Sequence, residues 1–128
     1  MRNVALYLAG SLAIFTAIYH GIVGDRMLQL LEITPEELAF VRATYQLGSV
    51  GWLAGGVLLI AAGRLQSAAA RNWIVGVFAV VYGFPAVGNF VLVGGRPSFG
   101  WLALASIVVL ALVGRPMSPI DSMNKMTY

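Results

Sequence analysis

The sequence predicts an all-α fold: an integral membrane bundle of four transmembrane helices, with a short interfacial amphipathic helix between helices one and two. Three observations carry this expectation. Hydrophobic residues make up 59% of the 128-residue chain and charged residues only 10%, against roughly 45–50% and about 25% in soluble domains. A fold of this size hides only part of its apolar surface, so in water large patches would stay bare. The apolar residues also fall into four long runs bounded by single basic residues, and none alternates with the period of two that a strand requires. The same composition excludes disorder.

Crossing ~30 Å of hydrocarbon at ~1.5 Å per residue takes about 20 residues. The first run, about 4–23, contains no charge and follows Arg2. It is longer than the ~7–15-residue core of a signal peptide and has no small-residue cleavage site after it, so it reads as an uncleaved first helix. Residues 24–42 form the one sizeable loop. Within it Arg26, Gln29 and Glu32 recur at every third position among Met27, Leu28, Leu30, Leu31 and Ile33, the pattern of a short helix lying in the interface. Thr34-Pro35-Glu36-Glu37 then spells a helix start. Thr34 is a good N-cap, Pro35 suits the first helical position, and Glu37 completes a capping box. The second helix should begin near Pro35 and cross over 43–62, with Gly63 at its exit.

Residues 64–72 read as a short basic loop. The third span covers about 73–93 between Arg71 and Arg96, and Pro85 inside it should bend the helix and free a carbonyl. Gly94-Gly95-Arg96-Pro97-Ser98 is a tight turn, with Pro97 able to start the short fourth span over 99–113. Residues 114–128 form a polar tail whose Pro116 and Pro119 argue against a helix, so loose order is expected there. The whole chain, 1–128, reads as a single membrane domain.

Arg2, Arg64, Arg71, Arg115 and Lys125 fall on one side of a four-span chain, and Arg26, Arg42 and Arg96 on the other. This bias favours both termini in the cytoplasm. The basic residues are scattered singly rather than gathered in a stripe, which excludes a nucleic-acid surface. Trp73 and Trp101 fall near opposite faces as interfacial anchors.

Lipid supplies no hydrophobic drive for helix association, so small residues must let helices approach. Ala13, Ala17 and Gly21 offer such a row on helix one, Gly48, Gly51 and Gly55 on helix two, and Gly76, Ala79, Gly83 and Ala86 on helix three. Packing within one bundle and a homodimer seam are both open readings of these rows.

With no cysteine, disulfides, thiol redox chemistry, iron–sulfur ligation and covalent c-type haem are excluded. His20 is the single histidine, so neither a self-contained zinc site nor a bis-histidine haem is expected. No nucleophile–base set is visible. Intramembrane polar residues are the default place to look for function, and topology gathers them toward the outer face around the 24–42 loop. The candidate ligand-binding residues are His20, Arg26, Arg42, Tyr45, Gln46 and Asn89. They could line a pocket for a quinone headgroup, a lipid headgroup or a haem propionate, with Arg42 or Arg26 receiving an anionic or carbonyl group. In the other reading they fasten the bundle: Asp25 pairs with Arg42, and His20 bonds Tyr45 or Gln46.

Leu53-Ala54-Gly55-Gly56-Val57-Leu58-Leu59-Ile60, then Gly63-Arg64-Leu65, the run over 68–70 and the turn over 94–98 resemble the DoxX-like small four-helix bacterial membrane proteins. The resemblance covers the middle of the chain and its motifs are mostly glycine and leucine. It implies a bacterial inner membrane, an accessory role beside quinone-linked or sulfur-oxidising redox assemblies, and no catalytic residue. The small size, the absence of a nucleophile–base set or metal cluster and the rows of small residues make the leading expectation a non-catalytic subunit or assembly partner of a larger membrane redox or energy complex. Its partners would be the bilayer and either other subunits or a second copy. A quinone-, haem- or lipid-binding module using the outer polar cluster is the second expectation, and a minimal transporter or channel the third.

Overall fold

The computed structural model describes residues 1–116, and among them it contains four α-helices and no strand. These are α1 (Arg2–Leu28), α2 (Pro35–Ala62), α3 (Ala68–Leu92) and α4 (Phe99–Val113). Lys125 and the rest of the tail expected to be loosely ordered lie, from residue 117 on, outside the described residues. The helices α1, α2 and α3 are long and apolar enough to cross a membrane, while the 15 residues of α4 reach only about 22 Å. The proximal end of the molecule carries the N-terminus and the α2–α3 turn. The distal end carries the α1–α2 and α3–α4 turns.

One expected element is not formed. No separate interfacial helix lies between α1 and α2; instead α1 runs on to Leu28 and the chain turns over 29–34. The three-residue spacing of Arg26 and Gln29 is a helical signal, and here it extends α1 in register. The Gln29 side-chain amide donates to the Asp25 carboxylate one turn back at 3.0 Å. The strong start at Thr34 leaves too few residues in between to nucleate another helix.

That start has the expected chemistry. The Thr34 N–H donates to Glu37 Oε2 at 3.0 Å, and the Glu37 N–H donates to Thr34 Oγ1 at 3.3 Å. These contacts hold the Glu37 carboxyl below its ordinary range, the Thr34 backbone first and its hydroxyl second. Ser67 caps α3 by accepting the Ala70 N–H at 3.3 Å, so the expected basic loop shrinks to 63–67. Arg71 then folds back over the end of α2. Its Nε donates to the Ala62 carbonyl at 3.0 Å, and its Nη2 donates to the carbonyls of Gly63 and Leu65 at 3.3 and 3.1 Å. A cation thus satisfies the orphan carbonyls at the negative end of a helix dipole. Helix α3 continues through Pro85, which withholds the N–H that would bond to the Val81 carbonyl. It closes on two left-handed glycines, Gly94 at φ +60° and Gly95 at φ +75°. The Gly95 N–H reaches the Phe90 carbonyl at 2.9 Å and the Gly94 N–H the Val91 carbonyl at 3.0 Å, a Schellman closure that needs glycine at its first left-handed position.

Helix α1 packs against α2 and α4, and α3 packs against α4 and more sparingly against α2. The core runs through Leu6, Ala9 and Ala13 of α1, Leu59 and Ala62 of α2, Val75 and Tyr82 of α3, and Leu104 and Ile107 of α4. The Tyr82 side chain is fully buried, and its hydroxyl donates to the Trp52 carbonyl at 2.6 Å. Ala13 and Ala17 are buried in the α1 seam, and Gly21 lies against Gln46 and Ser49 of α2. The backbones of α1 and α2 also come together at Gly10 and Gly56, where a Cβ on either would run into the other's carbonyl.

A Cβ on Gly55 would meet Phe78 and Tyr82 of α3, but one on Gly48, Gly51 or Gly76 would meet nothing within 4 Å, and one on Gly83 only Val108, at 3.9 Å. The rows expected at helix seams are therefore only partly used within this chain. Large apolar side chains such as Phe84 and Leu92 are 83% and 85% exposed, a surface suited to hydrocarbon rather than water.

Candidate functional site

At the distal end the helices enclose a cavity of about 420 Å³, within the ~300–1,000 Å³ usual for small-molecule sites. Helix α1 supplies its longest wall. Thr16, His20, Val23 and Met27 recur at helical spacing and face it together, with Tyr19 and Gly24 beside them. Helix α2 adds Tyr45 and Trp52, two turns apart on one face. Helix α4 adds Phe99, Gly100 and Leu104, and α3 adds Asn89 alone.

His20 is the best-held side chain of this wall. Its Nδ1 shares a hydrogen bond with Ser49 Oγ at 3.0 Å. Its ring stacks on Tyr45 with centroids 4.0 Å apart and planes 6° apart, and Trp52 lies against it at 4.6 Å. Its Nε2 makes no hydrogen bond among the described residues. Tyr19 and Phe99 meet edge to face at 4.8 Å and extend the aromatic lining. The Asn89 amide donates to the Pro85 carbonyl at 2.9 Å, which leaves its second N–H and its carbonyl oxygen uncommitted within the described residues. The wall contains no Lys, Arg, Asp or Glu.

The six residues singled out from the sequence thus part company. His20, Tyr45 and Asn89 line the cavity. Arg42 is taken up by Asp25, donating through Nε at 2.7 Å and Nη2 at 2.8 Å. Both groups lie beyond the spans expected over 4–23 and 43–62. The Arg42 hydrogen bond, with its charge, holds the Asp25 carboxyl below its ordinary range despite some opposing desolvation. Gln46 donates to the Gly21 carbonyl at 3.1 Å and faces a separate shallow groove between α1 and α2. Arg26 is exposed near the end of α1. His20 bonds Ser49 rather than the Tyr45 hydroxyl or Gln46, and Tyr45 serves it as a stacking partner. The aromatic wall formed by Tyr19, Trp52 and Phe99 was not among the sequence candidates. The two-turn separation of Tyr45 and Trp52, and the helical spacing of 16, 20, 23 and 27, are the signals that reveal it.

No group of three or more metal-ligating side chains occurs among the described residues. An uncharged, aromatic-walled cavity with one imidazole nitrogen and one amide facing it can hold a neutral planar molecule by stacking and hydrogen bonding. No family model matches this chain, and neither a curated protein nor a solved structure shows significant similarity to it.

Proposed function

We propose that the chain is a four-helix bundle of a bacterial inner membrane, with the short α4 also spanning and both termini in the cytoplasm. We propose further that its distal cavity binds a neutral planar ring bearing carbonyl oxygens, the chemistry of a quinone. Three long apolar helices and the excess of Arg2, Arg64, Arg71 and Arg115 at the proximal end over Arg26, Arg42 and Arg96 at the distal end support the membrane placement. The composition of the cavity wall carries the ligand reading. It offers aromatic faces for stacking, the uncommitted groups of His20 and Asn89 for hydrogen bonding, and no charge. A neutral carbonyl ring suits it better than a haem propionate or a charged lipid headgroup, because Arg42 is already neutralised by Asp25.

Purification in mild detergent, solvent extraction and chromatography test this. Near-stoichiometric quinone is expected with the wild-type protein, and a marked loss with His20→Ala. An extract without quinone above membrane background, or a haem absorption spectrum, would overturn the assignment.

A role as a non-catalytic subunit or assembly partner of a larger redox complex is compatible with such binding. Gly76, on α3 with nothing within 4 Å of its missing Cβ, supports it, because a small residue bare to lipid suits a partner helix. The resemblance to DoxX-like proteins points the same way. Native extraction followed by mass spectrometry should recover a partner, and a partner-free monomer would count against this role.

A further inference from the structure

We propose that the ligand reaches the cavity sideways from the bilayer, between α2 and α3, and that it carries an apolar tail lying in that gap. The inference rests on the reading of the cavity as a binding site and adds the class of molecule: a membrane-dissolved amphiphile with a planar head and an aliphatic chain.

The gap follows from helical geometry. On α2, Gly55 faces α3, where Phe78 and Tyr82 crowd it. Gly51 and Gly48 lie four and seven residues earlier, so they continue the same face toward the distal end. A Cβ at either position would meet nothing within 4 Å, so α3 has moved away there. The opposing side of α3 agrees. Leu92 stands fourteen residues beyond Phe78, within about 40° of the same side at ~100° per residue, and is 85% exposed. The two helices therefore touch around Gly55 and part above it.

The cavity lies beside this opening. Gly48 sits between Tyr45 and Trp52 on the face of α2 that lines the cavity, and Asn89 is the one residue α3 contributes to the wall. Helices α1 and α4 supply the other walls. A head stacked near His20 thus has an exit for a chain past Gly48 and Gly51, and bare glycines are the side chains that leave room for one. A tail there remains in hydrocarbon, with no need to cross water or a polar rim.

The test uses full-length protein in nanodiscs and two probes: tetramethyl-benzoquinone, which has no tail, and the same ring bearing a decyl chain. Binding is read as quenching of Trp52 in a Trp73→Phe, Trp101→Phe background. Gly51→Phe should weaken the decyl probe by about tenfold or more, the scale of a steric clash in a packed site, and leave the tailless probe unchanged. Gly51→Ala should bind both probes as wild type does. Gly76→Phe, an equally open position on the proximal half of α3, should change neither. Unchanged decyl binding in Gly51→Phe, or equal weakening of both probes, would overturn the lateral route while leaving the cavity reading intact. Failure of the wild type to bind either probe would overturn both.

Discussion

Gly10 of α1 and Gly56 of α2 meet backbone to backbone, with the Gly10 carbonyl oxygen only 2.8 Å from where a Cβ on Gly56 would stand. A rigid backbone atom cannot move aside as a flexible side-chain tip can. Gly56→Ala should therefore push α1 and α2 apart and cost about 1–3 kcal/mol, as overpacking does. Gly48→Ala, made in open space, should be neutral or stabilising by up to ~1 kcal/mol. Reversible unfolding by sodium dodecyl sulfate in mixed micelles measures both, and equal effects would contradict the packing described.

Asp25 and Arg42 tie α1 to α2 at the distal end. The carboxyl titrates below the ordinary 3.8 because it accepts hydrogen bonds from, and faces the charge of, Arg42. A depressed folded-state value means that the stabilisation is complete above 3.8 and is lost as the pH falls through and below it. Amide exchange over residues 24–28 and 35–42 should accelerate in wild type between pH 5 and pH 3, after correction for intrinsic rates. In Asp25→Asn it should be fast throughout and show no such acid step. An identical acid step in the variant would remove Asp25 as its source.

Arg71 caps three carbonyls at the end of α2. Hydrogen bonds from a charged group are worth roughly 1.5–3 kcal/mol at most sites, and a lysine cannot reproduce the planar fork. Arg71→Lys should therefore destabilise the protein by about 1–2 kcal/mol, whereas Arg64→Lys, at an exposed position, should lie within ~0.5 kcal/mol of wild type. Thermal unfolding of the detergent-solubilised protein separates the two.

Tyr82→Phe removes the hydroxyl that donates to the Trp52 carbonyl at 2.6 Å without opening a void, so a loss of about 0.5–1.5 kcal/mol is expected. Tyr82→Ala also empties a fully buried position and should cost about 3–5 kcal/mol. A Tyr82→Phe variant as unstable as Tyr82→Ala would show that the hydroxyl outweighs the ring.

Much of the architecture was legible because its signals are local. The capping box at Thr34, the glycine pair that closes α3 and the bounds of α4 depend on neighbours within a few residues. The end of α1 was not legible in the same way. A three-residue recurrence of polar groups reads alike in a helix that continues and in one that stands alone, and only the closeness of the Thr34 start decides between them. The α1–α2 seam was legible only on the α1 side, in Ala13, Ala17 and Gly21; the approach of Gly10 to Gly56 was not. The row Gly48, Gly51 and Gly55 is the more regular one, but it faces α3, and the register of two helices against each other is a property of the pair. For the site, His20, Tyr45 and Asn89 were found by their polarity. Trp52 and Phe99 were passed over because aromatic residues are common in any membrane span. For Arg42 the sequence left two uses open, a ligand contact and a pair with Asp25, and the structure takes the pair, across 17 residues of chain.

Helices α2 and α3 are fastened at the proximal end by Arg71 and a five-residue turn, and stand apart at the distal end. Two stiff rods joined this way act as a tweezer. A small change of angle at the joint becomes a larger displacement at the tips, where the cavity opens. Arg71 therefore holds the joint from which the distal opening spreads.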